Sequence, residues 1–132
     1  MLEQKNRNGL KAELLAELRA NELGYMVSRP VTGNCRYDMI IDNGTEMKRI
    51  QVKHCAVLDT TDTIKVSFRT NSKHKKEYSC DEIDAVVVYV APVDRLCYLP
   101  IELVEGRHYI NLRMSHSARK HRDAHYCEDY YW

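Results

Sequence analysis

Three side chains close together in the sequence could hold a cation and act on a phosphate: Asp38, Gln51 and Lys53. They belong to the segment from Arg36 to Cys55, in which Asn43-Gly44 separates two apolar-rich runs. That dipeptide favours a tight hairpin turn, because both central positions of the turn need positive φ. With Asn43 and Gly44 as the two loop residues, Asp42 faces Thr45, Ile40 faces Met47 and Asp38 faces Arg49. Side chains alternate along a strand and opposed residues share a face, so Asp38, Gln51 and Lys53 project from one side. Met39, Ile41, Ile50 and Val52 project from the other, a surface suited to a core. A carboxylate, an amide oxygen and an ammonium on one face predict a metal and phosphate site.

The remaining elements have to support that hairpin. Asn8 reads as the N-cap of a helix running to about Leu23, with Gly24 where helices commonly stop. On a helical wheel Leu10, Leu14 and Leu18 form the stripe expected to be buried, widened by Leu15. Glu13 and Glu17, at its edge, read on the wheel alone as helix-favouring surface residues. Tyr25 to Ser28 is a short strand ended by Arg29-Pro30, and Thr32-Gly33-Asn34 is a loop. Thr63 to Arg69 alternates apolar and polar residues and predicts a half-exposed strand. Glu77 to Asp84 is polar, a turn or short helix. Ala85 to Ala91 contains five apolar residues in a row, Val86 to Val90, as a strand covered on both faces requires, and is expected at the sheet centre. Leu96 to Leu99 should be its neighbour. Tyr109 to Met114 reads as a further strand, and Ser117 to Tyr131 as a polar C-terminal helix or ordered tail.

With 132 residues the chain is expected to form a single domain. Lys plus Arg total 20 and Asp plus Glu 19, so net charge gives no argument for a nucleic-acid partner and distribution must decide. From Lys65 to Lys76 there are five basic residues (Lys65, Arg69, Lys73, Lys75 and Lys76) and no acid. That run fits either a solvated edge or phosphate contact; Arg119, Lys120 and Arg122 make a second basic patch. No apolar run approaches the ~20 residues that span a bilayer, and the N-terminus lacks a signal-peptide core, so an intracellular, cytoplasmic protein is expected. The 5 cysteines, at 35, 55, 80, 97 and 127, fit reduced thiols better than a disulfide framework. His121 and His125 have the helical spacing of a zinc pair with Cys127 nearby, yet nothing upstream supplies matched ligands. His54 and Cys55 adjoin the hairpin motif but point in alternate directions, which suits strand-end packing.

Four segments in order carry a resemblance: Gly9-Leu-Lys-Ala-Glu13, Leu23-Gly-Tyr-Met-Val-Ser-Arg-Pro30, Arg36-Tyr-Asp38 and Ile50-Gln-Val-Lys53. Together they resemble the PD-(D/E)XK nuclease superfamily. Within it they are most similar to the small intron-type homing endonucleases and relatives that have Gln-x-Lys in place of the acidic (D/E)-x-Lys. Tyr78 to Asp84, the valine-rich strand and Leu99-Pro100 extend the likeness, which spans Gly9 to Pro100 and weakens over Arg113 to Tyr130. The resemblance implies an α/β, restriction-endonuclease-like core: an N-terminal helix packed on a mixed β-sheet, a central hairpin, and a C-terminal helix or tail. It implies magnesium-dependent hydrolysis of DNA, with manganese as a possible substitute.

By motif, Asp38 would be the metal-binding acid, Gln51 would stand at the usual second acid, Lys53 would be the catalytic lysine and Glu13 the helix carboxylate facing the site. Magnesium prefers oxygen ligands and keeps several waters, so Asp38, Gln51, the Val52 carbonyl and a substrate phosphate make an adequate set. Two other functions stay open: a Holliday-junction resolvase with the same chemistry, and a non-catalytic DNA-binding relative that would use the Lys65 to Lys76 run and the Arg119 to Arg122 patch, with Gln51 marking lost activity. Cutting both strands with so small a chain calls for two sites, hence a homodimer or homotetramer.

Overall fold

The computed structural model describes residues 1–56, 58–59, 61–68, 77–114 and 124–132. Helix α1 (Gln4–Glu22) is followed by β1 (Met26–Ser28), β2 (Met39–Asp42), β3 (Met47–Cys55), β4 (Thr63–Ser67) and β5 (Ala85–Val90). Then come β6 (Arg95–Pro100), β7 (Tyr109–Arg113), β8 (His125–Tyr126) and a final 3-10 turn, Cys127–Tyr130. The first sheet has the order β1-β2-β3-β5-β6, in which only the β3–β5 pair is parallel. A second sheet, β4-β7-β8, was not foreseen from the sequence. Among the described residues no helix is long and apolar enough to cross a membrane.

The first sheet is covered on both sides. Ala85, Val87 and Tyr89 of β5 turn toward α1, joining Met39, Ile41, Ile50 and Val52 in one core. Val86, Val88 and Val90 turn the other way and pack with Cys97, Leu99 and, from the second sheet, Ile64, Val66, Ile110 and Leu112. Because successive side chains alternate, a strand inside two cores must be apolar at every position, which is why β5 is an unbroken apolar run. All six of its residues are buried. It lies in the interior of the sheet beside β3, the central strand of the five. The layers are therefore α1, the five-stranded sheet and the three-stranded sheet.

Helix α1 differs from expectation at its start and on its faces. Its N-cap is Glu3 rather than Asn8, whose Oδ1 accepts a hydrogen bond from Gln4 Nε2 at 2.7 Å inside the helix. Its end matches: Gly24 adopts φ +79, and the Tyr25 N–H donates to Ala20 O at 2.9 Å. The buried stripe is Ala12, Ala16 and Ala20, whereas Leu10, Leu14 and Leu18 are 45%, 54% and 55% exposed. The sheet already presents large side chains to the helix, so alanines let the helix approach closely where leucines would hold it off. Leucine hydrophobicity alone predicts the wrong face.

The hairpin register also differs. Met39 pairs with Ile50, Ile40 with Arg49, Ile41 with Lys48 and Asp42 with Met47. The loop is four residues long because Asn43 Oδ1 gathers the N–H groups of Thr45 (2.9 Å) and Glu46 (2.9 Å), and the Asn43 N–H donates to Glu46 O. Gly44, at φ +91, supplies the positive dihedral. The register has slipped by an even number of residues, so every side chain keeps its predicted face.

Of the helix or ordered tail expected over 117–131, the described part takes the second form, residues 124–132 making β8 and the final turn, and 117–123 lies outside the described residues. So does Arg69, beyond the end of β4.

Arg49 fastens β3 to the entrance of β5. Its Nε and NH2 donate to Asp84 at 3.0 and 3.1 Å, its NH2 also donates to Cys80 O at 2.8 Å, and the backbones of residues 49 and 84 are bonded as well. The guanidinium holds the Asp84 carboxyl below its usual range. A depressed folded pKa stabilises above the unfolded value, roughly pH 4, and that stability is lost as pH falls through the folded pKa. Arg49→Ala should cost about 2 kcal/mol in denaturant unfolding at neutral pH. The gap in melting temperature between the natural chain and Asp84→Asn should close below about pH 4.

Candidate active site

Strand β2 stops pairing where its side chain takes over from its backbone. The Asp38 N–H donates to Ile50 O at 2.8 Å, but the next free donor on β3, the Val52 N–H, is accepted by Asp38 Oδ2 at 2.8 Å. The same oxygen accepts Gln51 Nε2 at 2.8 Å, and that amide also donates to Val52 O at 3.3 Å. The three predicted ligands, Asp38, Gln51 and Val52, thus meet in one knot. The acid is fixed by main chain rather than by a flexible neighbour.

Glu13 reaches the same place from α1. It sits within hydrogen-bonding reach of Asp38 and forms an ion pair with Arg29 NH1 at 3.5 Å. Burial raises the Glu13 pKa, the nearby Asp38 charge adds to this, and Arg29 works against it. Burial also raises the Asp38 pKa, opposed chiefly by the Val52 N–H and then by Lys53. In both carboxyls burial outweighs the balance that Arg29, Lys53 and the Val52 N–H supply, so the site favours an added positive charge.

Lys53 lies on the same face of β3 as Gln51, its Nζ 5.5 Å from the centre of the Tyr78 ring. Burial lowers its pKa, with the Asp38 charge opposing. Arg36 covers the same ring at 4.4 Å and pairs with Glu82 at 3.3 Å. Beside Glu13 and Asp38 opens a cleft of about 200 Å³, lined also by Arg29, Thr32, Gly33 and Tyr37. All four residues expected at the site are therefore brought together.

Arg29 is the residue that sequence reasoning missed. Its guanidinium bridges Glu13 and Glu17, tying β1 to α1 at the mouth of the cleft. The available signal was its place directly after Ser28, which pairs with Ile40 two residues from Asp38. Tyr78, 2% exposed beneath Lys53 and Arg36, was quoted only as part of a motif.

Among the described residues no group of three His, Cys, Asp or Glu side chains could hold a metal. The donor set here is of another kind: two carboxylates, a main-chain carbonyl and an amide. Gln51 Nε2 donates here to both Asp38 Oδ2 and Val52 O, and a rotated Gln51 side chain would offer Oε1 to a cation held with them. Oxygen donors of this kind suit a hard divalent cation.

The other expected residues fall elsewhere. Lys65 is exposed on the outer side of the second sheet, 4.4 Å over the Tyr109 ring. Arg69, Lys73, Lys75, Lys76, Arg119, Lys120 and Arg122 lie outside the described residues. So does His121. His125 Nδ1 contacts Tyr130 OH at 3.0 Å, and Cys127 packs against Cys97. His54 stacks on Tyr89 while Cys55 packs into the opposite core, as their alternation required.

A search among curated proteins finds no match. Among solved structures the chain is similar to a bacterial homing endonuclease, I-Ssp6803I, with 19% sequence identity and a TM-score of 0.79, over 98% of this chain and 89% of that one. That likeness establishes a shared restriction-endonuclease-like fold. The PD-(D/E)XK endonuclease family matches residues 3–132, nearly the whole sequence. Family and fold agree with the helix, hairpin and mixed sheet described above, and the chain belongs to the PD-(D/E)XK endonucleases, phosphodiester hydrolases that generally work with a divalent metal ion.

Proposed function

We propose that this endonuclease is a magnesium-dependent enzyme of the homing type, acting through Asp38, Gln51, Lys53 and Glu13 as one site. The observation that carries the reading is the convergence of the Asp38 carboxylate, the Gln51 amide and the Val52 carbonyl, with Lys53 beside them. The match from residue 3 to residue 132 supports treating the chain as one catalytic domain. The likeness to I-Ssp6803I favours site-specific cleavage of duplex DNA over resolution of four-way junctions.

Asp38, Gln51 through Oε1 and the Val52 carbonyl would hold magnesium, with manganese able to replace it. The bound ion supplies Lewis acidity toward the phosphate and makes water a better nucleophile. Glu13, its pKa raised by burial, is a stronger base than a solvated carboxylate and receives the proton of the attacking water. Lys53 offsets the charge that grows on the phosphoryl oxygens as the new P–O bond forms and the bond to the leaving oxygen breaks. Arg29 holds Glu13 in place. Gln51 brings one negative charge fewer than an acid would, so metal binding is weak until the substrate phosphate joins the ligand set. Lys65 and the basic residues at 69–76 and 119–122 serve as phosphate contacts. Two sites on a homodimer or homotetramer account for cutting both strands.

Incubation with supercoiled, linear, nicked and four-way-junction DNA, with magnesium or with EDTA, tests the reading. Cleavage should need the metal, Lys53→Ala should lower the rate about 10²–10³-fold, and Asp38→Asn should abolish it. Metal-independent cutting, or full activity in both variants, would sink it. A strong preference for junctions would replace the homing reading by the resolvase one. Arg29→Ala, which frees Glu13, should slow cleavage by about 10²-fold, with Arg29→Lys recovering part of the loss. In calorimetric titrations without DNA, Gln51→Glu should bind magnesium more tightly than the natural chain.

A further inference from the structure

Among the described residues nothing covers the leucine face of α1. Leu2, Leu10, Leu14 and Leu18 are 58%, 45%, 54% and 55% exposed, and with Leu15 they line a shallow apolar groove. At about 100° per residue, Leu14 points roughly 160° away from Ala12, so this face looks directly away from the sheet. The chain has spent its small residues on its own core and kept its large ones outside. A contiguous patch of this kind marks an interaction surface more often than bare solvent exposure.

We infer that this face is where a second copy of the chain docks, α1 against α1 in antiparallel orientation about a two-fold axis near Leu14. Self-pairing aligns the row with itself: Leu14 meets Leu14 of the other copy, and Leu10 meets Leu18. The charges on the groove choose the direction. Arg7 lies almost on the midline of the leucine row in the basic first half of the helix, and Glu22, held only by an exposed i,i+3 pair with Arg19 at 3.3 Å, lies on the same flank at the far end. Parallel pairing sets the two Arg7 side chains against each other. Antiparallel pairing brings each to the level of Asn21 and Glu22 of the other copy, a complementary contact made twice by the symmetry. Glu13 and Glu17, on the opposite flank, are already held by Arg29. A single helix pair makes a small interface beside those of permanent complexes, so the association is reversible.

The inference deepens the homo-oligomer reading above by naming the surface, and its test separates the two. Sedimentation of the full chain without DNA, from micromolar to hundred-micromolar concentration, should show an even-numbered assembly. Leu14→Glu, at an exposed site, should keep the circular-dichroism spectrum and raise the dissociation constant at least about tenfold. The same variant should still nick plasmid in a metal-dependent way, since Leu14 points about 100° around the helix from Glu13 and does not line the cleft beside Asp38. Arg7→Glu alone should weaken the assembly, and Arg7→Glu with Glu22→Arg should restore it. An oligomer indifferent to Leu14→Glu overturns the surface while leaving the oligomeric reading intact, and a strict monomer overturns both. Failure of the double reversal overturns the antiparallel arrangement. A monomer that floats with anionic vesicles only while Leu14 is intact assigns the face to lipid instead and overturns the inference.

Discussion

The Asp38 carboxylate takes the place of a strand. By accepting the Val52 N–H it ends the β2–β3 ladder, and by accepting the Gln51 amide with the same oxygen it sets the spacing of the candidate ligands. A carboxylate held by main chain inherits the rigidity of the sheet, as a preorganised site requires. The cost is a carboxyl pushed into a partly buried position, with its pKa raised by burial. Lys53 and Arg29 offset that in part, and a divalent ion would complete the compensation.

Strand β3 links this local arrangement to the rest of the molecule. Its even-numbered residues Ile50 and Val52 are locked into the core beneath α1, while odd-numbered Gln51 and Lys53 carry the site. Slipping the strand by one residue would put the lysine in the core and an isoleucine at the site, so core packing and site geometry enforce the same register. Strand β5 extends the constraint by filling a core on each side. The Arg49–Asp84 contact pins the point where β3 and β5 begin to run in parallel.

Helix α1 has three duties on three faces. Its alanines let it approach the sheet, Glu13 reaches Asp38, and its leucines face outward. Close approach and reach are connected: a helix held off by leucines would carry Glu13 away from Asp38. Arg29, bridging Glu13 and Glu17, fixes the rotation of the helix at the cleft. Gln51 makes this site less acidic than most of its superfamily, which places more of the electrostatic burden on the two carboxyls from β2 and α1.

The sequence alone determined the grouping of Asp38, Gln51 and Lys53, because strand alternation is a local property and an even register slip leaves it unchanged. It also determined that β5 is enclosed on both sides, since only two cores demand apolar residues at every position. Which face of α1 is buried depended instead on how much room the sheet's side chains leave, and no helical wheel contains that distance. The longer turn at Asn43 arose from side-chain hydrogen bonds competing with the two-residue loop. Arg29, the pairing of β4 with β7 and the outward leucines were likewise decided by tertiary structure, because each depends on segments distant in the chain arriving at one place.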